Sequence, residues 1–204
     1  VNFELTRSQI IKISPDVVIN CIGIVKSEVE DNVKNVIKIN SELPNFLNKL
    51  SKKLSFRLLH ISTDCVFSGK KYKYSEKNLP DPIDFYGKSK LMGEFKSNTN
   101  IVIRTSIIGH EIKHKRGLLE WFLKQNSTIS GYSKAYFSGL TTLELSKIIY
   151  EKILFNIDLT GLYHISGKRI NKYTLLKKVS KVYSKNILIK KDNKFKIDRS
   201  LNSS

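Results

Sequence analysis

The chain has 204 residues, enough for one domain with a real core, and its 40% hydrophobic and 10% aromatic content excludes a disordered chain. Lys and Arg number 36 against 18 Asp and Glu, a formal net charge of +18, but the lysines are scattered and form no compact basic block. This reads as a positive field that draws in anionic nucleotides, and nucleic acid is not an expected partner. Nothing reads as a membrane span or signal peptide, and the two cysteines, Cys21 and Cys65, make no disulfide framework. The expectation is a cytoplasmic protein with both thiols reduced and buried.

In chain order, a short helix with apolar Leu5, Ile10, Ile11 and Ile13 is expected before Pro15-Asp16. Val17 to Gly23 is a β-branched, continuous apolar run, as in a strand buried on both faces of a parallel sheet. From Glu28 to Leu54 the pattern turns helical. One stripe runs through Val29, Val33, Val36, Ile37 and Ile39, another through Phe46, Leu47, Leu50 and Leu54, with Pro44 as a kink or first turn between them. Leu58-Leu59-His60-Ile61 is a second buried strand, and it ends in Ser62-Thr63-Asp64. A polar loop broken by Pro80 and Pro82 leads to Tyr86-Gly87-Lys88-Ser89-Lys90, which opens a helix through Leu91, Met92 and Phe95. Asn100 to Gly109 is a third strand. Strand and helix alternating in this way imply a parallel sheet with crossover helices, and ligands of such sheets lie off the carboxyl ends of the strands. Three such ends are Cys21 to Gly23, Ser62 to Asp64 and Arg104 to Ser106.

The second half predicts a helix over Gly117 to Leu123, then aromatic loops around Tyr132 and from Tyr136 to Leu140. A helix follows over Thr141 to Leu154 with a threonine cap, then a short strand over Gly161 to Gly167. A last helix spans Asn171 to Tyr183, and a polar, partly loose tail begins at Lys190. His60, His110, His114 and His164 show no ligand spacing, and no metal is predicted.

The chemistry concentrates at Tyr86 and Lys90. Four residues apart on a helix, they share a face. An ammonium beside a phenol is expected to lower the phenol's pKa, which makes Tyr86 a usable proton donor. A hydroxyl at the strand end, Thr63 or Ser62, suits the oxygen of a substrate carbonyl.

Ser62-Thr63-Asp64-Cys65-Val66-Phe67-Ser68-Gly69 followed by Tyr86-Gly87-Lys88-Ser89-Lys90-Leu91-Met92-Gly93-Glu94 resembles the extended short-chain dehydrogenase/reductases, and within them the dTDP-4-dehydrorhamnose reductase family. The resemblance implies an α/β fold with a Rossmann-like parallel sheet and crossover helices. It also implies reduction by NADP or NAD of the 4-keto group of a nucleotide-activated 6-deoxy sugar, in surface polysaccharide precursor synthesis. By the same resemblance Tyr86, Lys90 and Thr63 are catalytic, and Cys21, Ile22, Gly23, Ser62, Tyr86 and Lys90 lie along the cofactor. Thr63, Asp64, Ser106 and Ile107 face the sugar, Asn40 supports the active-site helix, and Trp121, Tyr132, Tyr136 or Phe137 stacks on the base. The family's glycine-rich pyrophosphate turn has no counterpart here. The expectation is a piece that lacks the first two βα units and ends, after Ile197 to Ser204, before a last helix. Residues 1–109 are expected to form the partial cofactor-binding domain and 110–204 mainly a substrate-side lobe interleaved with it. A homodimer is compatible with this. Two alternatives stay open: a nucleotide-sugar epimerase with Cys65 as acid/base, and a non-catalytic NAD(P)-binding regulatory subunit.

Overall fold

The computed structural model describes residues 1–26, 32–113 and 115–202. Glu28, Val29 and His114 therefore lie outside the described residues. A four-stranded parallel sheet carries the molecule, in the order β1 (Val17–Asn20), β2 (Arg57–Thr63), β3 (Ile101–Thr105) and β7 (Gly161–His164). Alternation along β2 divides the core between its two faces. Leu58 joins Leu43, Leu47, Leu50 and Phe56 beneath helix α3 (Leu43–Leu54). Leu59 joins Ile101, Ile103, Leu145, Ile149 and Ile153 beneath helix α6 (Thr142–Ile148), whose line continues as a π-helical segment over Ile149–Leu154. The fold is Rossmann-like α/β, as the sequence predicts.

Polar caps set the helix starts. Asn2 accepts from Leu5 N before α1 (Phe3–Ile13), and Asn32 from Asn35 N before α2 (Val33–Ile37). Asp84 accepts from Gly87 N before α4 (Phe85–Met92), and Thr141 from Glu144 N before α6. Asn171 accepts from Thr174 N before α7 (Lys172–Val182). Helix α5 spans Leu118–Lys124. Between α2 and α3 the helix widens into a π turn over Lys38–Glu42, and Pro44 falls in the first turn of α3.

Five expectations need correction. The first strand stops at Asn20, so Cys21 lies beyond the sheet and is exposed. Helix α4 ends at Met92 with Gly93 as its cap, leaving Phe95 outside it. The third strand breaks at Ser106 and resumes as β4 (Ile107–Ile108), which pairs with β6 (Leu140–Thr141), because the Ser106 carbonyl turns to accept from Leu140 N at 2.9 Å. The aromatic "loops" belong to a nine-residue strand, β5 (Ile129–Phe137). The tail is a strand as well: β9 (Ile189–Asp198) runs parallel to β5, with β8 (Ile170–Asn171) on the other side of β5. Beyond β9 the chain is clamped, because Leu201 is buried with Val66, Phe67 and Tyr74.

Candidate active site

The carboxyl ends of β1, β2 and β3 open into one cavity of about 350 Å³. All ten residues predicted to touch cofactor or sugar line it: Cys21, Ile22, Gly23, Ser62, Thr63, Asp64, Tyr86, Lys90, Ser106 and Ile107.

Close backbone approach explains how Tyr86 reaches the end of β2. A Cβ added at Gly87 would stand 2.2 Å from the Cys65 carbonyl oxygen, and one at Gly93 2.0 Å from that of Asn40. Helix α4 therefore lies against the short 3-10 turn Asp64–Val66 at one end and against the π turn at the other. That π turn presents Asn40, which is fully buried. Asn40 Oδ1 accepts from Ile24 N (2.8 Å), while Nδ2 donates to Ile24 O (3.0 Å) and Ser89 Oγ (3.0 Å). Ser41 Oγ donates to Ser89 O at 2.7 Å. One insertion in the helix thus ties the segment after β1 to α4, a use typical of π turns beside functional sites.

Thr63 is buried and caps the 3-10 turn by accepting from Cys65 N at 3.1 Å, while its own hydroxyl donates to Asp64 Oδ1 at 3.3 Å. The expectation that Lys90 lowers the Tyr86 pKa is corrected. Burial raises it, with the neighbouring Cys65 and Asp64 adding to the rise and the nearby Thr63 hydroxyl opposing it. Lys90 instead donates from Nζ to Ile61 O at 2.8 Å. Burial pulls the Lys90 ammonium down to about 8, against an opposing pull from Glu94. Asp64, buried beside them, has its carboxyl raised by burial, with Arg199 opposing.

Ser62 points differently from its neighbour. Its hydroxyl donates to Glu94 Oε1 at 2.6 Å, and Glu94 holds Arg104 through two bonds, Nε–Oε1 at 2.9 Å and Nη2–Oε2 at 2.6 Å. Arg104 is 4% exposed, so Ser62 serves a buried ion pair as well as lining the cavity.

A second cavity of about 380 Å³ shares Ser106 and Ile107 with the first and is walled by Phe137, Thr142 and Lys172 among others. Of the four aromatics considered for base stacking only Phe137 lines it. Tyr136 lies under the Arg169 guanidinium at 3.2 Å, Tyr132 packs on Phe195, and Trp121 is half exposed on the surface.

Sequence reasoning missed Arg199, Lys172, Asp84 and Lys26. Arg199 Nη1 donates to Cys65 Sγ at 3.3 Å and Nη2 stands 3.6 Å from Asp84 Oδ2, which also takes Lys26 Nζ at 2.7 Å. Asp84 was detectable as a cap residue two positions before Tyr86. Lys26 lies three residues past Gly23, while Arg199 and Lys172 reach the site from remote segments that no local spacing announces. Among the described residues no cluster of His, Cys, Asp or Glu converges to hold a metal, and no helix is long and apolar enough to cross a membrane.

Comparison with known proteins agrees with this architecture. The chain is 29% identical over 178 residues to the dTDP-4-dehydrorhamnose reductase of Aggregatibacter actinomycetemcomitans, covering 82% of this chain and 60% of that one. It is 30% identical over 166 residues to the spore coat polysaccharide biosynthesis protein SpsK of Bacillus subtilis, covering 76% and 56%. It is 23% identical over 183 residues to methionine adenosyltransferase 2 subunit beta of Bos taurus, covering 79% and 52%. The chain thus spans between half and two thirds of the length of these curated relatives. Among solved structures, a hypothetical dTDP-4-dehydrorhamnose reductase from Sulfolobus tokodaii superposes with a TM-score of 0.86 at 29% identity, covering 99% of this chain and 76% of that one. The fold also matches that of dTDP-4-dehydrorhamnose reductase from Bacillus anthracis in complex with NADP, with a TM-score of 0.85 at 21% identity, covering 100% of this chain and 77% of that one. The model of the RmlD substrate binding domain matches residues 2–190, and this chain belongs to that family.

Proposed function

We propose that this chain is the catalytic part of an NAD(P)H-dependent reductase acting on the 4-keto group of a nucleotide-activated 6-deoxy sugar, dTDP-4-dehydrorhamnose or a close analogue. The observation that carries the reading is the convergence of Thr63, Tyr86 and Lys90 on one cavity at the carboxyl ends of three parallel strands. The relatives named for dTDP-4-dehydrorhamnose reduction support the substrate, and the likeness to SpsK supports a role in surface polysaccharide precursor synthesis.

The residues present fit a nicotinamide cofactor. Cys21, Ile22 and Gly23 are exposed along the cavity, and a Cβ at Gly23 would meet only Asn40 Oδ1 at 3.5 Å and Lys90 Nζ at 3.7 Å. Lys90 has three donors and spends one on Ile61 O, which leaves two for ribose hydroxyls. A bound reduced nicotinamide would supply the hydride. The protein supplies the proton and the orientation. Thr63 hydrogen-bonds the substrate oxygen, and Tyr86, whose buried phenol holds its proton, donates it as that oxygen becomes a hydroxyl. Asp64 accepts from a sugar hydroxyl, and Ser106 and Ile107 flank the ring. The lobe formed mainly by residues 110–204 takes the substrate side, and its cavity beside Phe137 and Lys172 accommodates the nucleotide.

Burial pushes the Cys65 thiol up to about 11, which weakens the epimerase alternative, since a base at that site needs a thiolate near neutral pH. The likeness to a protein named as a subunit of methionine adenosyltransferase 2 favours, as a second reading, a non-catalytic cofactor-binding subunit. The test is NADPH and NADH oxidation by the full-length protein with dTDP-4-dehydrorhamnose and related 4-keto sugars, with Tyr86→Phe as control. Turnover with one sugar that disappears in Tyr86→Phe is the expected result. Cofactor binding with no turnover on any sugar would sink the reductase reading and leave the subunit reading standing.

A further inference from the structure

Arg199 comes from the most distant part of the chain yet touches both pieces of the candidate catalytic machinery. It lies just past β9, in a strap held from two directions. Toward the loop after β2, Asp198 N donates to Gly69 O (3.1 Å), Tyr74 N to Ser200 O (2.9 Å) and Asn202 N to Tyr74 O (2.8 Å). Toward the second sheet, Leu201 N donates to Ser138 Oγ (3.0 Å), and Arg169 holds the Asp198 carboxylate. Gly69, at φ +82°, lets the strap pass: a Cβ there would stand 2.5 Å from Ile197 Cγ1 and 3.2 Å from Arg199 Cγ.

The Arg199 side chain is 11% exposed, and its Nε is buried with no partner. One nitrogen meets Cys65, whose backbone N–H bonds Thr63; the other faces Asp84, whose carboxylate caps the helix carrying Tyr86 and Lys90. The orphaned Nε is a standing cost. A planar fork that spans two groups on separate segments is a task for arginine and not for lysine.

We infer that Arg199 is a positioning residue: by bridging Cys65 and Asp84 it fixes the end of β2 against the start of α4, and so sets the spacing of Thr63 and Tyr86 from a strap that belongs to the second sheet. A misplacement of one group by about 1 Å costs on the order of 10²-fold in rate, so this bridge has catalytic leverage without touching substrate. The catalytic half of the inference rests on the reductase reading; its structural half does not.

The experiment uses the full-length protein and two variants, Arg199→Met and Arg199→Lys, followed by hydrogen exchange with mass spectrometry alongside steady-state kinetics. In Arg199→Met, segments 62–67 and 84–90 should exchange together, at least about tenfold faster, while the β1–β3 sheet and the strap 198–202 keep their protection. In Arg199→Lys a single ammonium reaches Cys65 or Asp84 but not both, so only one of the two segments should stay protected. The kinetic expectation for Arg199→Met is a kcat about 10²-fold lower, with KM for the sugar changed less than a few-fold. Unchanged exchange at both segments, loosening confined to 68–76 and 198–202, or loosening of the whole sheet would each overturn the inference, as would Arg199→Lys behaving like the parent. If the parent turns over no sugar, the reductase reading fails while the exchange result still decides the bridge.

Discussion

The β2–α4 region and the β5–β9 sheet are built by opposite means. In the first, glycines press one backbone onto another: Gly87 against the Cys65 carbonyl and Gly93 against the Asn40 carbonyl. In the second, two strands some sixty residues apart meet in parallel register, Ile129 with Ile189 and Tyr136 with Asp198, with a bulge between Tyr132 and Lys134. The first places the candidate catalytic groups and tolerates almost no added atom. The second places a strap and leaves much of its surface to lysine.

Tyr86→Phe should separate chemistry from packing in the first region. It removes one oxygen, so turnover should fall by about 10²–10⁴-fold while the melting temperature stays within a degree or two. A loss of stability of comparable weight would show the phenol to be structural. Glu94→Gln leaves Arg104, 4% exposed, without its counter-charge, and should cost about 3–5 kcal/mol by urea unfolding. Leu201→Ala tests the strap: its side chain is 5% exposed among Val66, Phe67 and Tyr74, and removal should cost about 2–4 kcal/mol. If Leu201→Ala lowers activity more than Glu94→Gln does, the second region governs the site more than the first.

A graded effect appears with pH. His60 is fully buried, accepts at Nδ1 from Asn20 Nδ2 at 3.1 Å, and is held by burial at a pKa of about 3 instead of 6.5. Between those values the unfolded chain binds a proton that the folded chain does not, so stability falls as pH drops from 6.5 toward 3, by up to about 1.4 kcal/mol per pH unit. Denaturant titrations across that window should show this extra slope in the parent and lose it in His60→Leu. The smallest effect belongs to the outer sheet: Lys194→Ala, on the exposed face of β9, should change stability by less than about 0.5 kcal/mol.

The same contrast explains what could be read from the sequence. The parallel sheet announced itself through β-branched runs such as Ile101-Val102-Ile103, and Thr63, Tyr86 and Lys90 through short spacings that survive folding unchanged. Strand β5 did not, because Gly131 and Ser133 interrupt its alternation and the pairing with β8 and β9 that stabilises it comes from distant segments. Strand β9 carries Lys190, Lys191, Lys194 and Lys196, a composition that reads as solvated loop until its edge position is known. The lowered tyrosine pKa failed for a related reason. Spacing put Lys90 on the same helix face as Tyr86 but could not show that its ammonium bends to the Ile61 carbonyl.

The return of β7 to the main sheet has a consequence for how the molecule comes apart. β7 covers the edge of β3, and Arg57, at the start of β2, donates to the carbonyls of Ile153 (2.9 Å), Leu154 (3.2 Å) and Leu159 (2.7 Å) just ahead of it. A protease cut between Gly109 and Gly117 would thus give a nicked particle whose two pieces remain joined. Expressing residues 1–109 alone would bare the edge of β3 and strip α6 from Ile101 and Ile103, leaving a template for strand-to-strand aggregation.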